Sequence, residues 1–196
     1  MTGDPVGLPG LAVIATGLFA FLVALLSARL RVQREPRGNP TRSRRSMIGI
    51  VIQAVAIMAA AFGPIRVTLD PLSASSLIEA GGCAIAMVTA VGLFLWSSRT
   101  MGRNWSIVAR TRDDHQLVET GPFAYLRHPI YTALFLLMIA FAVAYGHSTQ
   151  LLLAIPLYAL GTWVRISEEE RLLRAMFGDA YDAYAKRVRR FVPHVF

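Results

Sequence analysis

Hydrophobic and polar residues fall along this chain in long blocks separated by polar connections. Leu8 to Leu30 is apolar apart from small Thr and Ser residues, and it exceeds the ~20 residues that cross a bilayer's hydrocarbon core. Met47 to Leu69 is a second run, with Pro64 near its end, and Asp70-Pro71-Leu72-Ser73 then reads as a turn. Ser76 to Trp96 is a third, with Glu79 near its start and Trp96 suited to the opposite interface. Pro129 to Tyr145 is a fourth, closed by the turn Gly146-His147-Ser148, and Gln150 to Val164, with Pro156 inside it, is a fifth. These last two are shorter than ~20 residues and need their polar flanks to reach the interface, with a re-entrant hairpin as the alternative. From Arg165 the chain changes to a charge-dense helix with Leu172, Leu173, Met176 and Phe177 on one apolar stripe. Gly178 reads as its stop, and Asp179 as the cap of a short helix that uses Tyr181 and Tyr184 for packing. The pattern predicts an all-α integral membrane bundle of five transmembrane helices followed by a helical tail.

Composition supports the membrane reading. Of 196 residues, 55% are hydrophobic and 16% charged, more apolar surface than a soluble domain of this size can use. The single cysteine, Cys83, lies in an apolar run, which excludes a disulfide framework or a Cys-based zinc site and reads as a small buried hydrophobe. No metal is expected. The net charge of +8 raises the question of nucleic acid, but the basic stretches lack interleaved aromatics and no nucleic-acid partner is expected. Charge placement offers another explanation. Segments 29–45, 97–128 and 165–196 hold nineteen of the twenty Lys and Arg residues, and Arg66 is the exception. With five spans those segments share one side, which sets the N-terminus outside and the tail in the cytoplasm. The first run has no basic stretch before it and no obvious cleavage site, so it reads as a retained helix. A single lysine, Lys186, among many arginines points to a GC-rich bacterial genome and hence to a bacterial inner membrane.

Two places carry candidate chemistry. In Arg127-His128-Pro129-Ile130-Tyr131, Pro129 fits the first turn of a helix, whose free N–H groups and dipole favour an anionic ligand group. The competing reading of this pentapeptide is an interfacial anchor. Arg165 and Glu169 stand one helical turn apart, directly after the last apolar run. They are either an i,i+4 ion pair on a solvated helix, worth a few tenths of a kcal/mol, or a site in which Arg165 grips an anionic group. Spacing alone leaves both open.

Taken together, the motifs resemble the isoprenylcysteine carboxyl methyltransferase family. The resemblance rests on His115-x-Leu117-Val118, Gly121-Pro122-Phe123-x-Tyr125-x-Arg127-His128-Pro129-x-Tyr131, Arg165-Ile166-x-x-Glu169-Glu170-x-x-Leu173 and Phe177-Gly178-x-x-Tyr181-x-x-Tyr184. Gly102-x-Asn104-Trp105-Ser106 also fits bacterial members. It covers residues 99–193 and implies a division into three N-terminal transmembrane helices (1–98) and a cofactor-binding region (99–196) with two more and the helical tail. It implies S-adenosylmethionine as cofactor, enclosed by His115, Gln116, Leu117, Val118, Phe123, His128, Pro129, Ile130 and Tyr131 and touched by Glu169. It implies Arg165 as the residue facing the methyl acceptor, with Arg165 and Glu169 the catalytic pair. Two positions depart from the pattern: Phe123 stands where relatives often have Tyr, and Ala133 where many have Gly.

The resulting expectation is a multi-pass membrane enzyme that moves a methyl group from S-adenosylmethionine to a lipophilic acceptor arriving from the bilayer, most simply by carboxyl O-methylation. Methylation of a phospholipid amine or a small thiol, with His128 as base, is the alternative within the same chemistry. A sterol-reductase-type enzyme using NADPH is the alternative outside it, though such enzymes carry an Arg-Asp-Glu pattern where this chain has Arg-Ile-x-x-Glu-Glu. A small lipid-binding or scaffold membrane protein is the non-enzymatic alternative.

Overall fold

The computed structural model describes residues 3–33, 41–102, 110–111 and 117–191. Its long helices are α1 (Leu8–Gln33), α2 (Arg44–Ala61), α3 (Ala74–Met101), α4 (Pro129–Ala144) and α5 (Leu151–Phe177), and a short α6 (Asp179–Arg187) follows. Helices α1, α2, α3 and α5 are long and apolar enough to cross a membrane, whereas α4 has 16 residues. The expected all-α membrane bundle is present: among the described residues four helices are full-length candidates, α4 is short as its apolar run predicts, and α5 is longer than its run.

The chain's own signals set the boundaries. Ser43 and Ser73 cap α2 and α3 by accepting from the N–H groups of Ser46 and Ser76. Gly102 and Gly178 end α3 and α5 at positive φ, 49° and 51°. Pro129 opens α4. The second span ends eight residues before the apolar pattern does. Phe62 turns extended at the α2 C-cap, Gly63 takes φ 142°, and Pro64 supplies no N–H. The remainder of that run, Arg66–Val67, forms a strand (β2) parallel to Pro5–Val6 (β1). Conversely, α5 does not stop at Val164. It runs unbroken through Pro156 to Phe177, so the apolar run and the charge-dense segment are one rod. Asp179 is the first residue of α6 and makes no side-chain cap.

Helix α4 lies at the centre of the bundle. One face joins α1 and α3 in a cluster that includes Phe21, Met87, Phe94, Ala133 and Leu137, with the Phe21 and Phe94 rings 4.9 Å apart. Cys83 is buried in this cluster, as its apolar surroundings predict. The other face joins α2 and α5 through Ala56, Ala60, Met138, Ala142, Ala154 and Tyr158. Phe19, Met58, Ile78, Ile85, Val88 and Leu152 point outward, as lipid-facing residues must.

The two ends of the bundle differ. At one end β1, β2 and the α4–α5 turn form a cap in which the Asp4 N–H donates to the Gly146 carbonyl at 2.7 Å. His147, which reads from sequence as a surface residue, is buried there against Pro64. At the other end Arg31 of α1 reaches Ser98 of α3, and Glu168 of α5 accepts from Nε and Nη2 of Arg171 and from the Ser43 hydroxyl. That arginine-rich end carries the candidate site.

Candidate functional site

Helix α4 begins at a sharp junction. A 3₁₀ turn over Gly121–Ala124 precedes it, and the incoming chain pairs with the tail that follows α6. The Arg127 N–H donates to the Arg189 carbonyl at 2.8 Å, and the His128 N–H to that of Arg190 at 3.1 Å. The tail therefore fixes the backbone that presents His128, and α4 then carries Tyr131 one turn further on. Helix α5 passes alongside and supplies Arg165, Glu169 and Glu170.

These side chains form one network. The Tyr131 hydroxyl donates a short hydrogen bond to Glu169. His128 lies between two carboxylates, with Nε2 3.2 Å from Glu170 Oε1 and Nδ1 3.8 Å from Glu169 Oε2. Arg165 places its guanidinium carbon 4.8 Å above the Tyr131 ring and its Nη2 3.8 Å from Glu169 Oε1. Its Nη1 donates to Gln53 Oε1 of α2 at 2.9 Å, and Gln53 in turn donates to Thr162 at 2.7 Å. Arg165 is 8% exposed, so the pair it makes with Glu169 is not the solvated i,i+4 pair that spacing alone allowed.

The two neighbouring glutamates have separate environments. Glu170 is 2% exposed and enclosed by cations: Arg190 in a bidentate pair at 2.9 and 3.0 Å, Arg127 at 3.1 Å, Arg174 at 3.7 Å, and His128. Its bond to Arg190 raises the affinity of that guanidinium for its proton. Its charge also adds to burial in pushing the Tyr181 phenol up to about 12. Glu169, by contrast, keeps 25% of its side chain exposed, the open carboxylate of the pair.

The remaining sequence-derived residues sort by position. His115 and Gln116 lie outside the described residues, as do Asn104, Trp105 and His194. Leu117 packs against Tyr181 and Tyr184 of α6, which are buried as expected of packing residues. Val118 is half-buried in the segment that leads to the 3₁₀ turn. Phe123 is buried, and its carbonyl accepts from the Tyr184 hydroxyl at 2.8 Å. Pro129 is buried at the α4 start, while Ile130 and Ala133 pack on the α1–α3 side, away from α5. The structure thus joins His128, Tyr131, Arg165 and Glu169 directly. It adds Gln53, Glu170, Arg190 and Tyr158, whose hydroxyl donates to the Tyr131 carbonyl at 2.7 Å. Gln53 had a signal in the sequence, an isolated amide in the apolar body of α2. Arg190 had none, because its partner lies 20 residues away across a turn.

The sequence is similar to that of known proteins. Residues 83–175 match the model of the isoprenylcysteine carboxyl methyltransferase (ICMT) family. The chain is 36% identical over 111 residues to a protein-S-isoprenylcysteine O-methyltransferase of Schizosaccharomyces pombe, covering 53% of this chain and 45% of that protein. It is 33% identical over 106 residues to the protein of the same name from Dictyostelium discoideum, covering 49% and 41%. For the Mus musculus protein of that name the identity is 35% over 106 residues, covering 49% and 35%. The chain therefore spans less than half the length of each of these relatives.

Proposed function

We propose that this protein, whose residues 83–175 match the isoprenylcysteine carboxyl methyltransferase family model, transfers a methyl group from S-adenosylmethionine to the carboxylate of a prenylcysteine-like lipophilic acceptor at the cytoplasmic face of a membrane. The observation that carries the reading is Arg165. It is a buried guanidinium held by Gln53, stacked on Tyr131 and set beside the open carboxylate Glu169. The relatives' names favour carboxyl methylation over amine or thiol methylation and over NADPH-dependent reduction.

The donor set fits the cofactor. Glu169 is a partly open carboxylate next to an imidazole and a phenol, suited to the amino group or the ribose hydroxyls of S-adenosylmethionine. When bound, that cofactor supplies a methyl group on a sulfonium, a centre that an oxygen nucleophile displaces in line. Arg165 offers a planar fork that pairs with both oxygens of a carboxylate, and the second lone pair of one oxygen is left to attack the methyl carbon as the sulfur leaves as a neutral thioether. A carboxylate is already ionised at neutral pH, so the transfer requires no general base. That agrees with His128, whose Nε2 is engaged by Glu170 and whose Nδ1 faces Glu169. His128 is then a positioning residue between α4 and α5. His115, Gln116, Leu117, Val118, Phe123, Pro129 and Ile130 complete the proposed cofactor enclosure, with Ile130 contributing backbone.

The division into 1–98 and 99–196 is proposed as a division of labour: α1 to α3 form the membrane body, and the second half carries the chemistry. The test is transfer of a labelled methyl group from S-adenosylmethionine to N-acetyl-S-farnesylcysteine by the detergent-purified protein. Formation of a label that alkali releases as methanol supports a methyl ester. Label that resists alkali, on an amine or a sulfur, would exclude carboxyl methylation.

A further inference from the structure

Gln53 stands on α2, outside the segment that matches the family, yet it touches the residue assigned to the acceptor. Resting on the function proposed above, we infer that Gln53 aims Arg165 at the acceptor carboxylate and so acts as a positioning residue contributed by the N-terminal half of the chain.

The argument begins with how closely the two helices approach. A Cβ on Gly49 would lie 2.4 Å from Arg165 Cγ and 2.8 Å from the Gly161 carbonyl oxygen. A Cβ on Gly161 would lie 2.9 Å from both the Gln53 nitrogen and the Gly49 carbonyl oxygen. Two glycines facing each other let the α2 and α5 backbones come together, as small residues do in membrane bundles. The contact delivers the Gln53 amide to the guanidinium one turn along α5. Arginine has only donors, so the amide must turn its oxygen to Arg165 and its nitrogen to the Thr162 hydroxyl, an arrangement with a single sense. Gln53 and Thr162 are buried, 3% and 4% exposed, so the amide is shielded from competing water.

Two other neighbours of the guanidinium explain why aim matters. Tyr131 lies beneath its plane, and Glu169 sits 3.8 Å from Nη2, longer than a hydrogen bond. Gln53, a neutral acceptor on Nη1, restrains the guanidinium without neutralising it. Weakening that bond favours a closer approach of the guanidinium to Glu169, which draws together the carboxylate proposed for the cofactor and the cation proposed for the acceptor.

The test uses the full-length purified protein, S-adenosylmethionine and N-acetyl-S-farnesylcysteine. In Gln53→Glu the anchor for Arg165 remains but carries a countercharge. The positioning role predicts, in protein that stays folded, cofactor affinity within about twofold and an acceptor KM raised roughly tenfold, the size expected for a disturbed bond to a charged group. An unchanged acceptor KM in both Gln53→Glu and Gln53→Leu would overturn the inference, because Arg165 would then serve the acceptor equally well with the amide charged or removed. Gln53→Leu is measured in both the wild-type and the Arg165→Ala background. A residue that acts through Arg165 has no further effect on kcat/KM once Arg165 is gone, and equal losses in the two backgrounds would overturn it. If the wild-type protein neither binds the cofactor nor transfers methyl, the proposed function falls and this inference with it. Activity in the wild type with no coupling removes only the role of Gln53.

Discussion

Glu170 shows how a single buried charge can organise the site. It faces Arg127, Arg190, Arg174 and His128, which come from the α4 junction, the tail and α5 itself. Glu170→Ala removes the buried carboxylate that three guanidiniums share, and breaking a buried ion pair in this way costs about 3–5 kcal/mol. Glu170→Gln keeps part of the hydrogen bonding and should fall between. Thermal unfolding in detergent checks the order wild type, Gln, Ala. Arg165 and Glu169 differ from Glu170 in kind, because their surroundings suit ligands. Arg165→Ala should lower turnover and leave cofactor binding intact, while Arg165→Lys should recover only part of the rate, since an ammonium lacks the planar fork. Steady-state methyl transfer on each variant checks this. At this scale the sequence was readable where chemistry and local spacing coincide. His128, Tyr131, Arg165 and Glu169 were visible, and so was the choice between ion pair and site. What removes the solvated-pair reading, the burial of Arg165 and its bond to Gln53, rests on a contact between residues 112 apart, and no local pattern records it.

Among the elements, α4 and α5 carry the proposed site and α2 packs against α5 beside it. The Gly49–Gly161 contact sets the α2–α5 spacing, and the groups nearest a Cβ on Gly161 include backbone atoms that cannot swing aside. Gly161→Ala should therefore push the helices apart, lower stability by about 1–3 kcal/mol as overpacking does, and reduce activity beyond what the stability loss explains. Melting temperature and specific activity, measured together, check the pair of effects. The apolar pattern located every long helix, yet it misplaced two ends for opposite reasons. Hydropathy ran past Ala61 to Leu69, where Gly63 and Pro64 stop the helix even though the residues stay apolar. It stopped at Val164, where the helix continues because charge does not break a backbone whose glutamates find arginine and histidine partners.

For the whole molecule, the asymmetry of nineteen basic residues to one agrees with a bundle in which the α1 end, the α2 start, the α3 end and the site share one end. The proposed orientation puts that end in the cytoplasm. A C-terminal reporter that works only inside the cell should be active, and activity of one that works only outside would reverse the topology. Bundle architecture was readable because lipid exposure demands apolar runs. The central position of α4 was not, since a helix apolar on all faces gives no sign of which neighbour covers each one. The central claim is that the α4 junction and α5 form one site with separate cofactor and acceptor sides. It is tested most directly by titrating S-adenosylmethionine onto purified wild type, Glu169→Ala and Arg165→Ala. The account predicts saturable binding to wild type, affinity reduced roughly tenfold or more in Glu169→Ala, and near wild-type affinity in Arg165→Ala. No binding to wild type, or equal affinity in all three proteins, would contradict it.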